Sequence, residues 1–296
     1  MEYDKKNGNV AFRESDHVYF NLKDADKKYT SVTTLIHKYT QEFDKEFWST
    51  YKSLQFLIPA EYFKLEKGRL LETKKIDIEN MCKAYDIDIK EFESKRQSIL
   101  DEWSKANSDA CIRGTALHKQ MEDLAYDNPD TIVRKYGFGG KFQIKKDYSD
   151  LDLKYGLYPE YLIYNDEMGL AGQIDLLIKD DNDITLIDHK SNSIKMESGY
   201  DPSIKKRTMM QYPLNNLMDC NFYHYSLQLS TYAYMLQKIN PNFNIKRLAL
   251  NPISENGCGE LIDCQYLRKE VELMVKDYNK KLVKQTIKDK YKPIKF

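Results

Sequence analysis

Asp175, Asp188 and Lys190 are the residues of this chain best spaced to do chemistry together. They belong to Gly172-Gln173-Ile174-Asp175 and Asp188-His189-Lys190, within and at the end of two apolar runs, Leu170 to Ile178 and Ile184 to Asp188. The polar stretch Lys179-Asp180-Asp181-Asn182-Asp183 between the runs predicts an antiparallel hairpin. With Asp181-Asn182 at its tip, Asp175 faces Asp188, and opposed residues on neighbouring strands have Cβ atoms about 5 Å apart. Two carboxylates at that separation can hold one hard cation. Lys190, two residues beyond Asp188, lies on the same face of the sheet. A divalent ion such as magnesium or manganese (Mg2+ or Mn2+), with an ammonium beside it to orient water or neutralise a phosphate, suits hydrolysis of a phosphodiester. The same three residues also suit a plain hairpin edge whose acids are offset by a lysine, so the flanking elements decide between the two.

Upstream, Ala110, Gly114, Leu117, Met121 and Ala125 recur at helical spacing and predict a helix with one buried face. A glycine in a helix interior costs roughly 1 kcal/mol relative to alanine, so Gly114 suggests close approach of that helix to a sheet. His118 follows on the same face, and Glu122, four residues on, can hydrogen-bond its ring or reach the metal. Downstream, Tyr225, Gln228, Leu229, Tyr232 and Leu236 give a second amphipathic helix. A buried Gln228 needs partners for both ends of its amide, which a site full of carboxylates and phosphate oxygens supplies. Tyr225 reads as core packing.

Taken in order, Gly114-Thr115-x-x-His118, Pro159-Glu160, Gly172-x-x-Asp175, Asp188-x-Lys190 and Gln228-x-x-x-Tyr232 resemble the RecB-type branch of the PD-(D/E)XK nuclease superfamily. These elements span residues 110 to 236. The text from Tyr29-Thr30-Ser31-Val32-Thr33 through Arg113-Gly114-Thr115 is similar, more loosely, to bacteriophage exonucleases of this branch and to the mitochondrial genome-maintenance exonuclease. The resemblance implies that His118, Asp175, Asp188 and the backbone carbonyl of His189 ligate the metal, with Lys190 as the catalytic lysine. It implies that Glu160, in the apolar run Leu157 to Tyr164, either binds a second metal or holds Lys190. Gln228 and Tyr232 would brace the site and touch the nucleic-acid backbone, and Thr115 would contact substrate; Arg113, by its place beside the His118 helix, is a candidate for a phosphate contact. Two positions depart from the family pattern: Ile174 stands where its first-motif proline would be, and His189 fills the position before the lysine. The implied fold is α/β, a restriction-endonuclease-like core with a mixed β-sheet flanked by helices. The implied activity is that of a metal-dependent DNA nuclease, an exonuclease in phage DNA replication, recombination or repair. A structure-specific or CRISPR-adaptation-type endonuclease and a catalytically silent nucleic-acid-binding module are the alternatives.

Composition bounds these readings. With 296 residues the chain can bury a large core. Its 46 Lys and Arg balance its 46 Asp and Glu, so a DNA-binding surface has to be local. Lys205-Lys206-Arg207 is one candidate. The lysines of the C-terminal part, Lys280, Lys281, Lys284, Lys288, Lys290, Lys292 and Lys295, are another, though they also suit a solvated helix face. Tyr, Lys, Asn and Ile are frequent, as in proteins of AT-rich phage genomes. Relatives with an iron–sulfur cluster use one early and three late cysteines. Cys82, Cys111, Cys220, Cys258 and Cys264 contain no Cys-x-x-Cys pair and lack the third late ligand, so no such cluster is expected. Scattered thiols suit a reducing cytoplasm, and no apolar run approaches the roughly 20 residues of a membrane helix.

The wider organisation reads as N-terminal strands and a helix over residues 1–40 joining the core, a helical insertion over 41–104, and the core proper over 105–296. Val18-Tyr19-Phe20 and Tyr29 to Thr33 are expected strands. The stripe Phe43, Phe47, Trp48 and Tyr51 suits a helix core, or stacking on single-stranded bases. Lys246 to Ile253 reads as a strand, and Leu267, Val271, Met274, Val275, Tyr278 and Leu282 mark a last amphipathic helix.

Overall fold

The computed structural model describes residues 2–24, 26–137, 153–201 and 205–290. In chain order the elements begin with β1 (Lys5–Asn7), β2 (Val10–Arg13), β3 (Val18–Asn21), β4 (Lys28–Ser31) and α1 (Val32–His37). Four helices follow: α2 (Lys45–Leu57), α3 (Ala60–Thr73), α4 (Ile78–Ala84) and the long α5 (Ile89–Asp127). Then come α6 (Pro129–Lys135), β5 (Gly156–Asn165), β6 (Leu170–Asp180), β7 (Asp183–Lys190), β8 (Tyr200–Asp201) and β9 (Lys206–Arg207). The chain continues through α7 (Asn221–Ile239), β10 (Asn244–Ser254), β11 (Gly257–Cys258), β12 (Ile262–Asp263) and α8 (Arg268–Lys290). Two compact units result. One comprises Met1–Thr40, Ala116–Glu197 and Met209–Phe296, and the other Gln41–Thr115 with Ser198–Thr208. Against the segments expected from sequence, the helical unit also starts at residue 41, runs on to Thr115 and takes in a short later stretch.

The first unit is an α/β structure on a mixed sheet with path β1-β2-β3-β4-β6-β7-β10-β11, to which β5 adds beside β6 and β12 beside β10. The β6–β7 hairpin turns at Asp181-Asn182, and its ladder runs from Asp180↔Asp183 to Leu176↔Ile187. Asp181 adopts a left-handed φ of 54°, which such tight turns require and Asp tolerates. β10 adds to β7 in parallel and β4 to β6 in parallel, so crossovers cover both faces. On one face α1, α7 and α8 bury Leu170, Ile174, Leu177, Leu186 and Leu250. On the other, the end of α5 and α6 press Leu117, Met121, Ala125 and Ile132 against Leu157, Leu176, Ile178 and Ile187. Leu117, Met121 and Ala125 are buried as the helical spacing predicted, whereas Ala110 is exposed and Gly114 half-buried, so the buried face starts at Leu117.

The N-terminal hairpins curl back so that β1 meets β5. Asn7, fully buried, donates from Nδ2 to the Leu162 carbonyl at 2.9 Å and to the Tyr161 hydroxyl at 3.2 Å. Val10, Phe12, Tyr19 and Tyr29 then close over Leu162, Tyr164 and Ala171. β1 and β2 are joined through Gly8-Asn9, with Gly8 at φ 56°. The expected strand over Tyr29 to Thr33 ends at Ser31. The Ser31 hydroxyl accepts from the Thr34 N–H and caps α1, which turns Val32 and Thr33 into helix.

In the helical unit Phe47 and Tyr51 are buried with Leu54, Phe63, Leu70 and Phe92, with Trp48 packed alongside, so most of that aromatic stripe is core. Phe43 remains exposed, its ring edge-on to Trp103 at 5.6 Å. Among the described residues, no helix is long and apolar enough to cross a membrane.

Candidate metal centre and its lysine

The site forms where β6 changes neighbours. Along one edge β6 shares its ladder between β7, over Leu176–Asp180, and β4, over Leu170–Ala171, leaving residues 172–175 between the two. The Asp175 carboxylate fills part of that gap: its Oδ2 accepts the His189 N–H at 2.6 Å, satisfying a backbone donor that no strand meets there.

The other edge of β6 pairs with β5, and here both strands break step. Register holds at Pro159↔Leu176 and Tyr161↔Ile174, which sets Glu160 opposite Asp175. Tyr158 and Tyr161 pack in the same core, as do Ile174 and Leu177, although residues three apart on a regular strand point to opposite faces. Glu160 absorbs the shift on β5 with a φ of 49°, a left-handed conformation that costs a non-glycine residue about 1–3 kcal/mol. The result turns both carboxylates toward the end of α5. There His118 Nδ1 lies 3.4 Å from Asp175 Oδ2, and one ligand atom from each of His118, Glu160 and Asp175 lies within 4.8 Å of the others. Two carboxylate oxygens and an imidazole are suitable donors for a divalent cation that accepts oxygen and nitrogen.

Charge on these groups is unevenly divided. Burial pushes Asp175 up, but the hydrogen bond from His118 and the positive charges of His118 and Lys190 outweigh it, so Asp175 stays well below the ordinary carboxylate range. Burial, with Asp175 adding to it, lifts Glu160 to about 7 against the pull of Lys5, whose Nζ is 3.2 Å from Glu160 Oε2. Burial lowers His118, but the hydrogen bond to Asp175 more than offsets it and holds the ring above its usual value. Two neighbouring acids thus take opposite protonation preferences, an arrangement typical of sites that handle protons or cations.

Asp188 and Lys190 meet α7. Lys190 Nζ lies 2.7 Å from Asp188 Oδ2 and 4.5 Å from the centroid of the Tyr225 ring, whose hydroxyl bonds to Asn192. Gln228 Nε2 donates to Asp188 Oδ1 at 3.2 Å and reaches the Tyr232 hydroxyl at 3.4 Å. Burial drives Asp188 up to about 6, Lys190 working against it. Burial likewise opposes the charge on Lys190, but Asp188 and Asp175 prevail and keep it an ammonium. Gly172 makes this packing possible: a Cβ there would stand 2.6 Å from Tyr232 Cε1 and 2.8 Å from its hydroxyl. The His189 ring points the other way, edge-on to His118 with centroids 6.0 Å apart, and shares a 2.8 Å contact between Nδ1 and Asn251 Nδ2. Burial lowers His189 to about 4, so its ring is neutral near pH 7.

Set against the sequence reading, His118, Asp175 and Glu160 come together, while Asp188 is engaged by Lys190 and Gln228 rather than grouped with those three. Glu122 does not bond His118; its carboxylate takes Lys119 at 3.2 Å. Tyr225, read as core packing, does pack half-buried against the core, and its ring also lies under the Lys190 ammonium. Tyr232 is 3% exposed and its hydroxyl is turned inward to Gln228. Arg113 and Thr115 are exposed on α5, in the stretch belonging to the helical unit. Lys205, Lys206 and Arg207 are exposed in that unit too, with Arg207 Nη1 donating to the Ser198 carbonyl. Lys281 pairs with Asp277 at 2.7 Å; the side chains of Lys288 and Lys290, and Lys292 and Lys295 entirely, lie outside the described residues. Cys82 and Cys220 are buried, Cys258 and Cys264 half-buried and Cys111 exposed. Sequence reasoning missed Lys5 and Asn251. Gly8-Asn9 signals the hairpin that carries Lys5, since such dipeptides favour two-residue turns. No model of a known protein family matches the chain, and no curated protein matches it.

Proposed function

We propose that this chain is a metal-dependent deoxyribonuclease with a restriction-endonuclease-like core, acting as an exonuclease in phage DNA replication, recombination or repair. The observation that carries the reading is the convergence of His118, Glu160 and Asp175 at the gap where β7 leaves β6, with the Asp188–Lys190 pair on the adjoining strand. The order of motifs along the sequence supports the same class. His118, Glu160 and Asp175 would hold a magnesium or manganese ion. Asp188 and the His189 carbonyl join the proposed ligand set on the strength of the motif order. When bound, the ion supplies Lewis acidity to a phosphate oxygen and makes an adjacent water easier to deprotonate.

The chain's own groups do the rest. Asp188 and Asp175 keep Lys190 charged, so a buried ammonium stands ready where phosphate gains negative charge in the transition state. Tyr225 and Gln228 hold Lys190 and Asp188 in place from α7, which limits reorganisation as the reaction proceeds. His118 and the His189 N–H fix the orientation of Asp175.

End-labelled linear and covalently closed circular DNA, single- and double-stranded, incubated with magnesium, manganese or EDTA, tests the assignment. Metal-dependent loss of linear DNA alone supports an exonuclease, and the label released first gives its polarity. Cutting of circles would replace the exonuclease reading by an endonuclease, and binding without any cleavage would leave a silent module.

Metal affinity should also depend on pH. A proton on Glu160, with its pKa at about 7, and one on His118, raised from its usual value, both compete with the ion. Affinity for manganese is therefore expected to fall as pH drops below about 7, by about tenfold per unit for each proton displaced, and to level off above it. Titrations followed by electron paramagnetic resonance between about pH 5 and 8 check this, and a flat profile would count against Glu160 as a ligand.

A further inference from the structure

We propose that Lys5 is an exchangeable counter-ion of the metal centre: its ammonium neutralises Glu160 until a divalent cation takes the carboxylate, and then turns to a phosphate of the bound strand. This rests on the metal-centre reading above and adds a residue that the motif order does not contain.

The geometry separates a fixed base from a movable head. The β1 backbone is pinned by its ladder with β2, Lys5↔Phe12 through Asn7↔Val10, and by the buried Asn7 amide on Leu162 and Tyr161 of β5. Lys5 itself is about one-third exposed and ends on Glu160 Oε2 at 3.2 Å. A lysine stem has four rotatable carbons and its ammonium donates in any direction, so the head can leave Glu160 while the strand stays put. Among the described residues, Glu160 pairs with Lys5 and Asp188 with Lys190, while Asp175 is held by His118 and by the His189 N–H.

Electrostatics supply the exchange. An ammonium and a dication on one carboxylate repel each other, and the repulsion grows in a partly buried site where the effective dielectric is low. Entry of the ion therefore expels the Lys5 head, and it stays tethered at the rim of the site through β1. The chain as a whole is electroneutral, so attraction for a polyanion depends on such local cations. A phosphate of the strand under attack offers the released ammonium a partner of the right charge.

Two measurements read the two halves. Manganese binding to the full chain, followed by electron paramagnetic resonance at about pH 8 so that a proton on Glu160 competes little, is expected to tighten by about three- to tenfold in Lys5→Met, because a competing cation is gone, and to stay near the original value in Lys5→Arg. A fold defect would weaken binding in both variants, the opposite sign. Binding of a single-stranded phosphorothioate oligonucleotide, which keeps its backbone charge, is then followed against salt. Lys5→Met should flatten the logarithmic salt slope by about 0.7 in the manganese-loaded protein and leave it unchanged in EDTA. Manganese binding by the unmodified chain that Lys5→Met leaves unchanged or weakens would overturn the exchange alone. No manganese binding by the unmodified chain would overturn the metal centre and the exchange with it, and an equal slope change with and without metal would overturn the transfer to phosphate.

Discussion

Under the proposed nuclease reading, Asp175→Asn is expected to cost at least about 10³-fold in metal-dependent cleavage while leaving a folded protein, because the several kcal/mol of charge stabilisation that a bound ion would supply goes with it. The asparagine has the same shape, and its carbonyl oxygen can still accept the His189 N–H that Asp175 takes at 2.6 Å. What it lacks is charge. Asp175 is the acid of the group that the surrounding cations keep ionised, so its loss removes the permanent negative charge opposite Glu160 and beside His118. Loss of a charged hydrogen bond should lower stability by about 1–3 kcal/mol, visible as a modest fall in melting temperature. Turnover on linear DNA and circular dichroism together decide the matter. A well-folded variant that still cleaves within tenfold of the original rate, as an order-of-magnitude threshold, would remove Asp175 from the chemistry.

Gly172→Ala carries the second large effect, on stability and geometry at once. The added methyl would collide with the Tyr232 ring at 2.6 Å, and that ring is buried, so neither side can yield freely. Overpacking of this kind costs typically about 1–3 kcal/mol. Displacement of Tyr232 also passes to Gln228, then Asp188, then Lys190, through contacts of 3.4, 3.2 and 2.7 Å. A shift of about 1 Å at a reacting group can cost about 10²-fold in rate, so activity should fall by one to two orders of magnitude beyond any loss of folded protein. Pairing the change with Tyr232→Leu provides the control. The combined destabilisation is expected to be smaller than the sum of the single effects by about 0.5–3 kcal/mol, as for two residues in direct contact. Simple additivity in urea melts would show that the glycine is not there for the tyrosine.

The elements that could be read in the sequence are those whose signal is local. Leu117, Met121 and Ala125 announce their helix face by spacing alone, and Lys179 to Asp183 announce a turn by composition, so His118, Asp175 and Asp188 fall on identifiable elements. Tyr158 and Tyr161, or Ile174 and Leu177, do not reveal that they share a face, because strict alternation was the only rule available and the break at Glu160 arises from one backbone angle. That break decides which acids group with His118. Lys5 and Glu160 are 155 residues apart, and nothing near either names the other. Tyr225 looked like any aromatic on a helix face; only the reach of Lys190 from β7 distinguishes it.

The assembly of the sheet also has an order in time. The hairpins at the start of the chain close on Leu162 and Tyr161, and β4 lies beside Leu170 and Ala171, so on a ribosome they emerge long before their partners. The stretch Gln41–Thr115 emerges in the interval with its buried cluster of described residues, while Ser198–Thr208, which belongs to the same unit, follows much later. Such distant pairings are slow to form and leave strand edges open during synthesis. Gln228 comes later still. A nascent chain therefore carries neither a complete acid cluster nor a lysine held from α7 until residues through Gln228 have emerged.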